Sequence, residues 1–348
     1  MRATLLLTQR DVARLIDMRT AIRVTRETFQ ALARGEAVMP PKIYLPLPRQ
    51  SDPSTRSARS GSSRAESRDD FRAMPAFIRR PPACGVKWVN VHPYNRARRL
   101  PTVMAVIIIN DPATGFPLAV MDGLLITKLR TAASAAVAAQ TLARPNSRIV
   151  GLVGCGAQAD AQLLALREVF SLARVQVWGY ARGEAQQFCR RMRRQLRGIM
   201  FVPCTSIETC VRDADLVVTI TPSRHPLVKR AWLRSGVHIN AIGADAPGKQ
   251  ELDPQILRDA MVVIDDRAQA IHGGELNVPV SRKQFDPRKI HATLGDILIA
   301  RKRSRRSERE LTVFDSTGLA IHDVALGAEI VQQARRLGIG HRIAFFTV

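Results

Sequence analysis

Two kinds of hydrophobic pattern succeed one another along this chain. Near the start, Thr8-Gln9-Arg10-Asp11 has the spacing of a capping box and opens a short helix. Ala21, Ile22, Val24, Phe29, Leu32 and Ala33 follow at near-helical spacing, which predicts a second helix that Gly35 can end. From Val38 to Val120 the pattern changes to short extended runs, among them Ile43–Leu47, Gly85–Val91, Val103–Ile109 and Pro117–Met121, separated by Pro, Asn, Asp and Gly. That stretch predicts an antiparallel sheet. Ser51–Arg68 interrupts it with a Ser/Arg-rich segment almost without large apolar residues, which cannot bury a face and reads as a mobile inserted loop.

From Thr127 onward, helical segments alternate with short continuous apolar runs. An alanine-rich helix is predicted over Thr131–Ala143, and strands over Arg148–Val153, Val175–Trp178, Leu216–Ile220, Val237–Ile242, Met261–Ile264 and Leu311–Phe314. Such alternation predicts a doubly wound parallel sheet covered on both faces. A last helix, Ala320–Arg336, and the segment Gly338–Val348 are expected to return to the first domain. The expected fold is therefore α/β. A Rossmann-type domain spans 129–318, and an α+β domain with an antiparallel sheet spans 1–128 and 319–348, with 51–68 as its insertion.

The first apolar run of the second half leads into Gly154-Cys155-Gly156-Ala157-Gln158-Ala159, a G-x-G-x-x-A turn between a strand and a helix. Gly154 permits the tight turn, Gly156 lets the backbone approach a pyrophosphate, and Ala159 allows close helix–strand packing. This context predicts a dinucleotide site. The next strand ends in Gly179-Tyr180-Ala181-Arg182, where NAD-selective sites usually carry an acid for the ribose 2′-hydroxyl. A missing carboxylate and a nearby Arg182 lean the expectation slightly from NAD toward NADP.

Two polar residues stand out in apolar surroundings. Lys87 lies between Val86 and Trp88 in an extended run, where it can snorkel to water or, if buried, serve as an acid/base group. Asp245 lies just past the Val237–Ile242 run, at the edge of a parallel sheet where ligands bind, and can act as acid/base or cap the next turn.

Composition narrows the class. No run of 18 or more apolar residues occurs, so no transmembrane helix is expected, and the N-terminus does not read as a signal peptide. Five cysteines without a CxxC pair argue against a disulfide framework or a zinc site and for the cytoplasm. About half of the formal charge of +23 falls in three arginine-rich runs, Ser51–Arg68, Arg190–Arg197 and Arg301–Arg306. Only 5 % of the chain is aromatic, so base-stacking platforms are scarce and no nucleic-acid partner is expected.

These segments together resemble the ornithine cyclodeaminase/μ-crystallin family over nearly the whole chain. The resemblance rests on Met39-Pro40-Pro41-Lys42, Asp70–Pro75, Lys87–Pro93, Asn110–Gly115, Leu129–Ala133, Gly154–Gln158, Gly243–Glu251 and Phe314–Ala320, in that order. It implies a homodimer formed through the first domain, which also binds substrate. It further implies Lys87 and Asp245 as an acid/base pair, and Lys42, Arg72 and Arg130 as holders of the substrate carboxylate. Thr131, Gly154, Gly156, Ala157, Gln158, Arg182, Thr219, Thr221 and Ser316 would line the cofactor. Arg72 stands where ornithine-cyclising members carry a glutamate, and several phrases are most similar to the alanine dehydrogenase branch. The implied reaction is reversible oxidative deamination of a small L-amino acid to its 2-oxo acid with NAD or NADP. Ornithine cyclisation, ketimine or pyrroline-2-carboxylate reduction, and non-catalytic dinucleotide binding are the alternatives.

Overall fold

The computed structural model describes residues 3–47 and 69–346; the Ser51–Arg68 insertion expected from the sequence lies outside the described residues. The chain opens with β1 (Thr4–Leu7), α1 (Gln9–Leu15), α2 (Met18–Ala33), β2 (Ala37–Val38), β3 (Ile43–Pro46), β4 (Asp70–Ile78), β5 (Ala83–Val91), β6 (Val103–Asn110) and β7 (Pro117–Asp122). It continues through α3 (Leu124–Leu142), β8 (Ile149–Val153), α4 (Ala159–Val169), β9 (Arg174–Trp178), α5 (Glu184–Gln195), β10 (Met200–Pro203), α6 (Ile207–Val211), β11 (Leu216–Thr219), β12 (Arg224–Val228) and β13 (His238–Ala241). The remainder is β14 (Gln250–Leu252), α7 (Pro254–Asp259), β15 (Met261–Ile264), α8 (Arg267–Gly273), α9 (Asn277–Ser281), β16 (Ala292–Thr293), α10 (Leu294–Leu298), β17 (Thr312–Asp315), α11 (Ala320–Leu337) and β18 (His341–Ile343).

The chain forms two compact units. One comprises Met1–Leu15, Val38–Thr127 and Asp323–Val348, the other Ile16–Ala37 and Lys128–His322. In the first, the strands run β18-β1-β7-β6-β5-β4-β2, with β3 on β4. Neighbours from β3 through β7 pair antiparallel, but β1 lies parallel to β7, so the sheet is mixed rather than antiparallel throughout. The alternation read from the sequence holds on β4 to β7. Met74, Lys87, Val89, Ala105, Ile107, Ala119 and Met121 share one buried face. The expected capping box is present, with Thr8 N donating to Asp11 Oδ2 at 2.9 Å and Asp11 N to Thr8 Oγ1 at 3.3 Å.

The second unit holds a parallel sheet in the order β10-β9-β8-β11-β13-β17-β15-β16. The chain turns from β8 to β9 on one side and places β11 on the other, so the topological switch falls between β8 and β11. Helix α3 begins at Leu124, seven residues before the expected Thr131, because Asp122 Oδ2 accepts Leu125 N at 3.1 Å and caps it there. Helix α2, which the sequence assigns to the domain of the first sheet, packs in the second unit. Gly295 of α10 admits it closely (a Cβ there would lie 2.6 Å from Phe29 O), and the Phe29 ring meets Phe314 edge-on at 6.4 Å.

A buried polar residue ties the middle of this sheet together. His238 on β13 hydrogen-bonds Thr312 Oγ1 at 2.8 Å and Asn240 Oδ1 at 3.0 Å, and burial pushes its pKa down to about 3. A base with a depressed folded pKa contributes stability above its unfolded pKa, near 6.5, that is lost as pH falls toward the folded value. Between pH 7 and pH 4 the stability gap between the natural protein and His238→Gln should shrink by about 3 kcal/mol. Urea unfolding at the two pH values measures this. A gap independent of pH would mean His238 is not held neutral.

Candidate functional site

In the second unit, β8 ends at Val153 and the chain turns through Gly154, whose φ is +105°. A Cβ at 154 would lie 2.8 Å from Ile220 O and 2.9 Å from Thr221 Cγ2, so only glycine lets the turn sit against the end of β11. Gly156 is the opposite case, since a Cβ there would meet nothing within 4 Å. The space above Gly156 is an open cradle, as a pyrophosphate needs. Ala157 and Gln158 lead into α4, whose N-cap residue Gln158 makes no side-chain cap bond. The positive end of an 11-residue helix therefore faces the cradle. These residues fit a dinucleotide.

Other expected cofactor residues surround the same sheet edge. Thr219 closes β11 and is buried. Thr221 turns its hydroxyl into the protein, donating to Glu251 Oε1 at 2.7 Å, while Gly243 N donates to Glu251 Oε2 at 2.9 Å. Glu251 was not expected from the sequence. Burial raises its pKa, and it also raises that of neighbouring Glu275, with the Glu251 charge contributing. Ser316, just past β17, is buried and donates its N–H to Ala241 O at 3.0 Å. Arg182 is exposed in the turn before α5. Gly179 has a steric reason to lack an acid: a Cβ there would lie 2.6 Å from Cys155 Sγ and 3.0 Å from Glu184 Cβ.

Arg130 and Thr131 lie on α3 and are buried. A side chain on Gly318 would collide with the Arg130 guanidinium, and Gly318 has φ of +80°. That turn is fixed by Asp265, which accepts Thr317 N at 2.6 Å and Gly318 N at 2.9 Å, a role the sequence did not reveal. Asp245 follows β13 in a loop, is about a third exposed at 36 %, and forms an ion pair with Lys249.

In the first unit, register places Arg72 opposite Val89 and Met74 opposite Lys87, so Arg72 and Lys87 are diagonal neighbours on the buried face. Lys87 is 1 % exposed, and its Nζ lies 2.6 Å from Asp323 Oδ2 in the first turn of α11. The snorkelling alternative is thereby excluded. Arg72 forms a two-point pair with Asp70, Nε to Oδ1 at 2.8 Å and Nη2 to Oδ2 at 3.1 Å, and its guanidinium lies 5.0 Å from the Tyr44 ring centroid. Lys42 is half-buried just before β3. Asp70 and Asp323 are the residues that sequence reasoning missed here.

The model of the ornithine cyclodeaminase/mu-crystallin family matches residues 2–336. The chain belongs to this family. It is 44 % identical over 345 residues to an alanine dehydrogenase of Archaeoglobus fulgidus, covering 99 % of each chain. Among solved structures it is similar to an archaeal alanine dehydrogenase dimer with bound NAD, at 45 % identity and a TM-score of 0.90, with 99 % of this chain and 100 % of that one covered. A pyrroline-2-carboxylate reductase of Thermococcus litoralis, in complex with NADH and L-proline, matches at 31 % identity and a TM-score of 0.89, covering 98 % and 100 %.

The contrast between the two glycines of the turn is testable. Gly156→Val should fold normally, because its side chain enters open space, yet lose dinucleotide affinity by at least tenfold in a fluorescence titration. Unchanged affinity in the folded variant would place the dinucleotide elsewhere.

Proposed function

We propose that this member of the family is an NAD(P)-dependent amino-acid dehydrogenase that interconverts a small L-amino acid such as alanine with its 2-oxo acid and ammonia. The observation that carries the reading is Lys87, an ammonium fully buried in a sheet face and held by Asp323. Held at the Gly154–Gln158 turn, a dinucleotide would supply the hydride acceptor for the substrate's α-carbon. Lys42, Arg72 and Arg130 pair with the substrate carboxylate and fix its orientation. Lys87 and Asp245 move the protons: one leaves the amine as the imine forms, one leaves the water that adds to it, and the hydroxyl of the resulting carbinolamine loses its own as the nitrogen takes one up and departs as ammonia. Asp323 is a positioning residue that holds the Lys87 Nζ in line. We take the cytoplasm as the compartment, in keeping with five free thiols. Gly179 and the exposed Arg182 favour use of NADP at least as good as that of NAD.

Screening amino acids and 2-oxo acids with both dinucleotides tests the reading, and L-alanine-dependent reduction of the dinucleotide is expected. Proline formed from ornithine, or pyrroline-2-carboxylate reduced in preference to pyruvate amination, would assign a different branch of the family. The acid/base role is tested by a double-mutant cycle. Lys87→Met should lower kcat by about 10²–10⁴-fold with dinucleotide binding retained. Asp323→Asn should lower kcat and shift the pH profile, but add no loss in the Lys87→Met background. Near-normal turnover in Lys87→Met would remove the lysine from the chemistry.

The proposed assembly is a homodimer through the first unit. Register aligns Ile43, Ala73, Trp88 and Val106 on the outer face of the sheet, and Leu45 and Leu6 lie on that same face. Ile43 is 62 % exposed and Trp88 43 %, a contiguous apolar surface of the kind that marks an interaction site. Trp88→Asp combined with Val106→Asp should halve the mass measured by light scattering. A dimer that persists would place the interface elsewhere.

A further inference from the structure

The arginine-rich run at 301–306 has no part in the proposed reaction, yet the structure gives it a defined setting. A cavity of about 730 Å³ in the second unit is lined by Arg26 of α2, Gln140 and Thr141 of α3, Ile297 and Leu298 of α10, and Ala300, Lys302, Arg303 and Ser304 of the loop beyond. Its lining holds three cations and no carboxylate. Arg26 is half-buried, and its guanidinium donates to a neutral acceptor, Gln140 Oε1, at 2.6 Å. Burial lowers the Arg26 pKa, with no opposing contribution from an acid. Among the described residues, Arg26, Lys302 and Arg303 form no ion pair. Asp296, in the first turn of α10, is paired instead with Arg301 at 3.6 Å. A partly desolvated guanidinium without a counter-ion is a destabilising arrangement that an anion would relieve.

The cavity is distinct from the dinucleotide cradle. Thr131 and Gln140 are nine residues apart on α3, roughly 14 Å at the helical rise. Residue 304 precedes β17 and Thr141 precedes β8, so the cavity sits at the amino edge of the parallel sheet, while the Gly154 turn sits at its carboxyl edge.

We infer that this cavity is a second binding site, for a small multiply charged phosphate compound such as an organic or inorganic triphosphate. Three cations would offset most of the roughly four negative charges of a triphosphate at neutral pH, and Gln140 adds an amide to the lining.

Isothermal titration of the full chain with sodium tripolyphosphate, at saturating NAD so that the dinucleotide cradle is filled, tests the inference. Saturable binding at one site per chain is expected. It should weaken at least tenfold in Arg26→Gln/Lys302→Gln/Arg303→Gln and by a smaller factor in Lys302→Gln/Arg303→Gln, which leaves the Arg26–Gln140 contact intact. Arg190→Gln/Arg194→Gln/Arg197→Gln, which removes exposed charge from the second basic run, should bind as the natural protein does. Absence of saturable binding, or equal weakening in the two triple variants, would overturn the site. So would a single-stranded DNA oligomer binding more tightly than tripolyphosphate and losing affinity equally in both variants, which would assign the charge to a nucleic-acid surface instead.

Discussion

An ammonium group taken out of water into an apolar sheet face costs several kcal/mol unless an opposite charge meets it there. Lys87 imposes that condition on the first unit, and α11 satisfies it. Asp323 lies in the first turn of the helix, where its charge also favours the positive end of the helix dipole. One turn further on, Gly327 lets the helix settle onto β6: a Cβ there would lie 2.7 Å from Ile109 Cδ1. A larger residue at 327 would lift the helix and draw the carboxylate away from the ammonium. The pair is thus held by packing as much as by charge. A buried ion pair of this kind contributes little net stability over an apolar pair of equal volume, so its chief effect is to fix where Nζ points.

The second unit solves a related problem with carboxylates. Glu251 accepts from the backbone of Thr221 and Gly243, Glu275 from Glu251 and Leu252, and Asp315 from Glu275 and Leu276. Loops from different strands are pinned to one another by buried acids whose own solvation has been replaced by backbone N–H groups. Thr221 belongs to this chain and also packs over Gly154, so the shape of the dinucleotide turn depends on an acid thirty residues downstream. The same logic places Asp265 beneath the Thr317-Gly318 turn that makes room for Arg130.

Much of this was legible in the sequence because it is local. The helix at Thr8–Asp11, the alternation on β4 to β7, the apolar runs of the parallel sheet and the glycine turn all rest on neighbours within a few residues. β10 and β16 escaped because β16 is only two residues long and the apolar run of β10 ends on Pro203, which demotes it as a strand. The partners Asp323, Asp70, Glu251 and Asp265 escaped for another reason. Each is an ordinary acid until the fold sets it against Lys87, Arg72, Thr221 or the Gly318 turn. Gly179 lies between these cases. Its lack of charge was plain in the sequence, but its cause, the contact with Cys155 and Glu184, is tertiary.

The central claim is that Lys87 is a buried ammonium fixed by Asp323. Nitrogen-15 NMR of lysine-labelled protein observes the Nζ groups directly. A hydrogen-bonded, water-excluded ammonium should give a signal near pH 7 protected from rapid proton exchange, assignable by its absence in Lys87→Met and exchanging quickly in Asp323→Asn. A Lys87 signal that exchanges as fast as those of surface lysines, and that Asp323→Asn leaves unchanged, would contradict the account.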